Sequence, residues 1–162
     1  MRIVNTRLDQ FDLNILKEIQ ADSGIATADL AERVGLSLSP CWRRVKRLKE
    51  AGVIKQEVTL LSRKSLGLEI DAVTQLTLRN QMVDDRTTFE DWAKGCDEIV
   101  ECLSISGERD YLLRILVTDL AQYEHFLTSK LLALPCVSSA NTSFVLREVN
   151  HTTALPLAHL AP

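Results

Sequence analysis

The chain has 162 residues, 46% hydrophobic and 25% charged, with a net charge of −3. That is enough for one sizeable core or two small ones, in the composition of an ordinary soluble protein. No stretch approaches the roughly 20 apolar residues of a membrane span. Met1-Arg2-Ile3-Val4-Asn5-Thr6 lacks the apolar run of a signal peptide, so the expected location is cytoplasmic, with no membrane partner.

The charge is uneven. Residues 1–64 hold 12 Lys/Arg against 8 Asp/Glu, whereas residues 65–162 hold 7 against 14. Six cations and a single acid, Glu50, lie between Arg43 and Lys55. Such asymmetry is expected when one half meets phosphate and the other half does something else. The cysteines, Cys41, Cys96, Cys102 and Cys136, form no CxxC pair and are expected as small buried hydrophobes rather than a disulfide frame.

In chain order, Leu8–Ala21 places Phe11, Ile15, Leu16 and Ile19 on one helical stripe, with Asp9 as N-cap and Asp12 as favourable charge in the first turn. A second helix is expected from Thr27 as N-cap, with Leu30, Ala31 and Val34 inward and Gly35 past its end. A third is expected across Ser37–Gly52, with Ser39 as N-cap, Pro40 at the first helical position and Gly52 as the stop. At about 100° per residue, Cys41, Val45 and Leu48 share its inner face while Arg43, Lys46 and Arg47 point outward. Ala31, Gly35 and Cys41 have the spacing of a helix-turn-helix: a small residue at the crossing, a positive-φ turn and a small apolar seal. A short helix anchored on one side and cationic on the other suits a DNA major groove. A three-helix bundle without a ligand is the plain alternative. Trp42 lies on the flank and is expected to pack on the first helix or the linker. Val53–Leu61 is β-branched and partly alternating, which predicts a strand, and Ser62–Gly67 is a turn-rich hinge.

Beyond the hinge, alternation in Ile70–Leu78 predicts a strand with Ala72, Thr74, Leu76 and Leu78 on one face. A helix across Thr87–Asp97 would bury Phe89, Trp92, Ala93 and Cys96. Strands Val100–Ser106 and Tyr111–Val117 form a hairpin around Gly107-Glu108-Arg109-Asp110. Thr118 or Asp119 caps a second helix with Leu120, Tyr123, Leu127, Leu131 and Leu134 in line, and Val137–Val149 is a final strand. The order β-α-β-β-α-β is ferredoxin-like, with two helices on one sheet face. Ile105, Leu112 and Leu146 make the other face apolar as well, which predicts self-association, most simply a two-fold dimer. His125, His151 and His159 show no metal-ligand spacing. No nucleophile–base pair, metal cluster or phosphate loop is evident, and Asp84-Asp85 and Asp97-Glu98 are read as solvated, so no enzyme, no catalytic residue and no metal are expected.

These pieces, Leu8-Asp9-x-x-Asp12-x-x-Ile15-Leu16, Leu30-Ala31-x-x-Val34-Gly35-Leu36-Ser37, Pro40-Cys41-x-x-Arg44-Val45-x-x-Leu48, Gly52-Val53-Ile54 and Gly107-x-x-Asp110-Tyr111-Leu112-Leu113, resemble the Lrp/AsnC (feast/famine) family of transcription regulators from Leu8 to about Pro156. The resemblance implies an α+β protein: a winged-type helix-turn-helix domain over 1–54, a linker strand and hinge over 55–69, a ferredoxin-like effector-binding and oligomerisation domain over 70–150, and a tail over 151–162. It implies a cytoplasmic, nucleoid-associated regulator. Its partners would be double-stranded DNA at a pseudo-palindromic operator, further copies of itself as dimers and octamers, and a small amino acid, with no other cofactor. Ser37, Ser39, Pro40, Arg43, Arg44, Lys46 and Arg47 are the expected DNA contacts. Gly107, Glu108, Arg109, Asp110 and Tyr111, with Thr142 and Ser143 of the last strand, are the expected effector contacts. An ammonium-carboxylate ligand needs an acceptor such as Asp110 and open amides such as those around Gly107. Leucine, methionine and cysteine are the first candidates. Cys136 stands where the family usually has glycine, and the tail is unlike that of the leucine-responsive prototype. The alternative is an architectural, nucleoid-associated DNA-binding protein without an effector.

Overall fold

The computed structural model describes residues 8–80 and 82–160. The N-terminal segment considered against a signal peptide lies outside them. No described helix is long and apolar enough to cross a membrane. The chain divides into two units, Met1–Leu60 with Asn150–Pro162, and Leu61–Val149.

The first unit holds α1 (Gln10–Ala21), α2 (Thr27–Arg33) and α3 (Leu38–Glu50). Asp9 caps α1 in a reciprocal capping box: its carboxylate accepts from the Asp12 amide, and the Asp12 carboxylate accepts from the Asp9 amide. Ile15, Leu16, Leu30, Ala31, Val34, Cys41 and Leu48 form the core. The α2–α3 turn has the predicted mechanics. Gly35 takes φ +69°, and the Leu36 amide donates to the Ala31 carbonyl at 2.9 Å. Gly52, at φ +71°, closes α3 in the same way.

Three local expectations are corrected here. Ala26, not Thr27, is the N-cap of α2, and Thr27 is already helical. Ser37, not Ser39, is the N-cap of α3, which moves Pro40 to the third helical position, still inside the first turn where no amide needs an intrahelical partner. Residues 53–61 form no strand, because they pair with no described segment of this chain. The C-terminal residues 150–160 return to this unit. Leu157 packs on the helical core, and the Gln20 side chain accepts from the Leu155 amide at 2.6 Å and donates to its carbonyl at 3.4 Å.

The second unit is a βαββαβ sheet domain. Its strands are β1 (Ile70–Leu78), β2 (Ile99–Ser104), β3 (Tyr111–Val117) and β4 (Val137–Phe144), in spatial order β2-β3-β1-β4 with antiparallel pairing throughout. Strands β1 and β3 have the predicted bounds. Helix α4 (Val83–Lys94) begins earlier than expected, because Asp84 and Asp85 favour a helix N-terminus, and it ends at Gly95. Strand β4 stops at Phe144 because its partner is exhausted: Phe144 pairs with Ala72, near the start of β1.

Helix α5 (Leu120–His125) is capped by Asp119 and continues as a π-helical turn over Phe126–Leu131. Tyr123, Phe126 and Leu131 are inside, the five-residue step from Phe126 to Leu131 spanning the wider turn, and Leu120, at the first helical position ahead of that turn, is exposed. Phe89, Tyr111, Leu113, Ile115 and Leu76 join them between helices and sheet. On the opposite sheet face Leu103 is about half exposed.

Candidate nucleic-acid interface and effector site

The seven expected DNA contacts do not share one environment. Ser37 and Ser39 are exposed at the start of α3, and the Ser37 side chain makes no capping bond; Pro40 is half-buried. No acid lies in the first turn, so the free amides and the positive end of the helix dipole are unopposed there. Arg43 is exposed and has no ion-pair partner among the described residues. Lys46 is exposed too. Its ammonium lies 5.4 Å from the Trp42 ring centroid and 3.7 Å from Glu50, a solvated arrangement worth little in stability. Trp42 corrects the packing expectation, for it is 53% exposed, and Leu38 one turn earlier is equally open.

Arg44 and Arg47 turn back toward α1. Arg44 donates to Asp9 at 2.7 Å and to Asp12 at 2.9 Å, with its guanidinium 5.4 Å from the Phe11 centroid. Arg47 makes a short contact with the other Asp12 oxygen. Asp12 is fully buried, and the Asp9 amide is its third donor. The pairing with Asp9 and then with Asp12 holds the Arg44 guanidinium above its ordinary pKa. Asp12 was not singled out from sequence as a buried partner. The signal was present: positions 12, 15, 16 and 19 form one helical stripe, and a carboxylate on an otherwise apolar stripe needs a buried cation.

The seven expected effector residues are likewise divided. Gly107, at φ +121°, tops the exposed loop between β2 and β3, and Glu108 beside it is exposed. Arg109 donates to the Thr77 and Ser139 hydroxyls at 3.2 and 3.1 Å. Asp110 accepts from the Leu78 amide at 2.8 Å, and its own amide donates to the Leu76 carbonyl, so it closes the end of the β1–β3 ladder. Tyr111 points the other way, into the helix-side core. Its hydroxyl donates to Glu90 at 2.7 Å, and burial together with that carboxylate pushes its pKa up.

Thr142 lies opposite Thr74 and shares a hydroxyl cluster with Thr74 and Tyr123, whereas Ser143 pairs with Val73 on the other face. Within one chain the loop, Arg109 and Ser143 are therefore separated by the sheet from Tyr111 and Thr142. Two clefts are present elsewhere in this unit. One of 280 Å³ lies between α4 and β2, touching Glu90, Cys102 and Tyr111; the other, of 430 Å³, lies beside the Glu98–Lys130 ion pair.

Cys136 is buried, and among the described residues no non-glycine residue has positive φ, so this turn needs no glycine. Cys102 is exposed, unlike the expectation for the four cysteines, because it lies on edge strand β2. His125, His151 and His159 are exposed, and no group of three His, Cys, Asp or Glu among the described residues is placed to hold a metal.

A helix-turn-helix joined to a ferredoxin-like sheet with a free face defines a DNA-binding regulator carrying a ligand-binding domain. Residues 8–55 match the winged helix-turn-helix DNA-binding family and residues 71–155 the Lrp/AsnC ligand binding domain. The chain belongs to the Lrp/AsnC family of transcriptional regulators. It is 39% identical to the leucine-responsive regulatory protein of Haemophilus influenzae over 94% of this chain and 92% of that one. It is 35% identical to the Bkd operon transcriptional regulator of Pseudomonas aeruginosa, over 93% and 98%. Among solved structures it is similar to a transcriptional regulator of Neisseria meningitidis in complex with L-methionine, at 40% identity and a TM-score of 0.92, covering 94% of this chain and 99% of that one.

Proposed function

We propose that this protein is a cytoplasmic, nucleoid-associated regulator whose oligomers read a pseudo-palindromic operator through α3 and respond to a free amino acid. The observation that carries the effector reading is the likeness to the Neisseria regulator in complex with L-methionine. Arg43, Lys46 and the α3 N-terminus with Ser37, Ser39 and Pro40 meet DNA, with Arg47 beside them and Arg44 set behind. The effector contacts are the 107–111 loop with Thr142 and Ser143. The loop, Arg109 and Ser143 share the sheet face away from the helices, so a ligand held there is placed to bridge protomers, which ties effector binding to assembly. Tyr111 and Thr142 act from the helix side of the same strands. Leu103, about half exposed on the sheet face opposite the helices, and its neighbour Leu112 support a dimer of sheets, with octamers built from such dimers, although Ile105 and Leu146 lie beyond the strand ends. Methionine is the first candidate, followed by leucine and cysteine.

A thermal-shift panel of the twenty amino acids on the full chain tests this reading. Its hits are then added to a DNA-binding titration. One or a few amino acids are expected to raise Tm and change DNA affinity. A flat panel with unaltered DNA binding defeats the effector reading and leaves an architectural DNA-binding protein.

A further inference from the structure

The cationic face of α3 is partly neutralised from behind. Asp12 sits at the third position of α1 with its carboxylate fully buried, and it receives three donors: the Asp9 amide, Arg44 and Arg47. Asp9 adds a second carboxylate to Arg44. Arg44 is three-quarters covered, but the Arg47 side chain is 48% exposed and commits one terminal nitrogen to Asp12. A guanidinium carries five N–H donors in a rigid plane, so one held at one end presents the rest in a fixed direction. Arg43 and Lys46, on the same helix, have no such anchor.

We propose that Asp12 is a specificity-determining positioning residue for DNA binding: it orients Arg47 as a fixed fork toward base edges and withholds Arg44 from the phosphates. The proposal rests on the reading that α3 enters the major groove. An arginine free to swing finds phosphate on any sequence, whereas a held, planar fork discriminates among base edges, most often guanine. Asp12 thus trades general affinity for sequence discrimination. The acid touches no nucleic acid; it acts through the two guanidiniums.

The test uses the full-length chain and two probes: a duplex enriched by that protein from a random-sequence pool, and a scrambled duplex of the same length. Asp12→Asn keeps an oxygen for the Asp9 amide and removes the charge that holds the arginines. It is expected to tighten binding to the scrambled duplex, to steepen the salt dependence there by about one to two in log–log slope, and to lower the enriched-to-scrambled affinity ratio tenfold or more. A lower Tm with slope and ratio unchanged makes Asp12 purely structural and overturns the proposal. Arg47→Lys, a half-exposed change that preserves charge, decides the matter even if Asp12→Asn fails to fold. It should lower the ratio while leaving the salt slope in place, and an unchanged ratio overturns the proposal. Arg43→Ala with Lys46→Ala separates the premise from the inference. If that pair leaves binding to both duplexes untouched, α3 does not meet DNA, and both fall together.

Discussion

Each unit of this protein buries an aspartate against arginines, and the two use the same chemistry differently. In the sheet unit Asp71 accepts from Arg114 in a fork, Nε at 3.0 Å and Nη2 at 2.7 Å, with Arg63 at 3.6 Å and Glu148 accepting from the same Nη2 at 3.2 Å. That pairing raises the Arg114 pKa and ties the start of β1 to β3, the hinge turn and the segment after β4. In the helical unit Asp12 divides itself between two arginines of the helix that offers cations to solvent. A bidentate pair with little exposed charge is a fastener. A carboxylate shared between two arginines, one of them half exposed, also sets what an outside partner meets. The difference shows that burial of an acid does not reveal its purpose; the exposure of its cation does.

The largest expected effect breaks the fastener. Asp71→Ala strands a largely covered guanidinium and should destabilise the sheet unit by about 3 kcal/mol, read as a lower denaturant midpoint with little change in salt dependence of DNA binding. A negligible loss would mean that Glu148 and solvent satisfy Arg114 alone, and the contrast with Asp12 would collapse. Next in size, Arg43→Ala with Lys46→Ala should weaken DNA binding at least tenfold and flatten its salt slope by about two. Stability should stay within about 0.5 kcal/mol, since both side chains are exposed. Fluorescence anisotropy across a salt series measures the one and thermal melting the other.

The smallest effect sharpens the helical side of the comparison. Asp9→Ala removes the α1 cap and should cost about 1 kcal/mol. The Asp12 amide, and then Arg44, hold the Asp9 carboxyl below the usual range. Its contribution is therefore fully present above the ordinary carboxylate pKa of about 4 and fades as pH falls through the lower folded value. The stability gap between wild type and Asp9→Ala should be constant from neutral pH down to about pH 5 and narrow below it. A gap that widened on acidification would show that the cap does not act through the ionised carboxylate.

Local physical chemistry made much of this molecule legible from its sequence. Period-3.6 apolar spacing places the three helices of the first unit, alternation places β1 and the hairpin turn with its apolar run places β3, both at their observed ends, because those patterns are read one element at a time. Gly35 and Gly52 are legible as helix stops, since a positive φ is a property of one residue and its turn. The cation run of α3 was equally visible, as was the βαββαβ order.

Tertiary structure decided what depends on a partner elsewhere in the chain. Residues 53–61 include the β-branched Val53, Ile54, Val58 and Thr59 yet form no strand, because a ladder requires a second backbone. Helical spacing puts Arg47 outward with Arg43 and leaves Arg44 nearer the inner face, and only the crossing of α1 over α3 brings Asp12 within reach of both Arg44 and Arg47. The expected effector residues were grouped by motif, but the alternation of β4 sends Thr142 and Ser143 to opposite faces. Residues 150–160 return to pack on the helical unit through Leu157 and Gln20. Spacing along a chain reports which side chains can share a face; which charges are answered and which left open follows only from what that face is packed against.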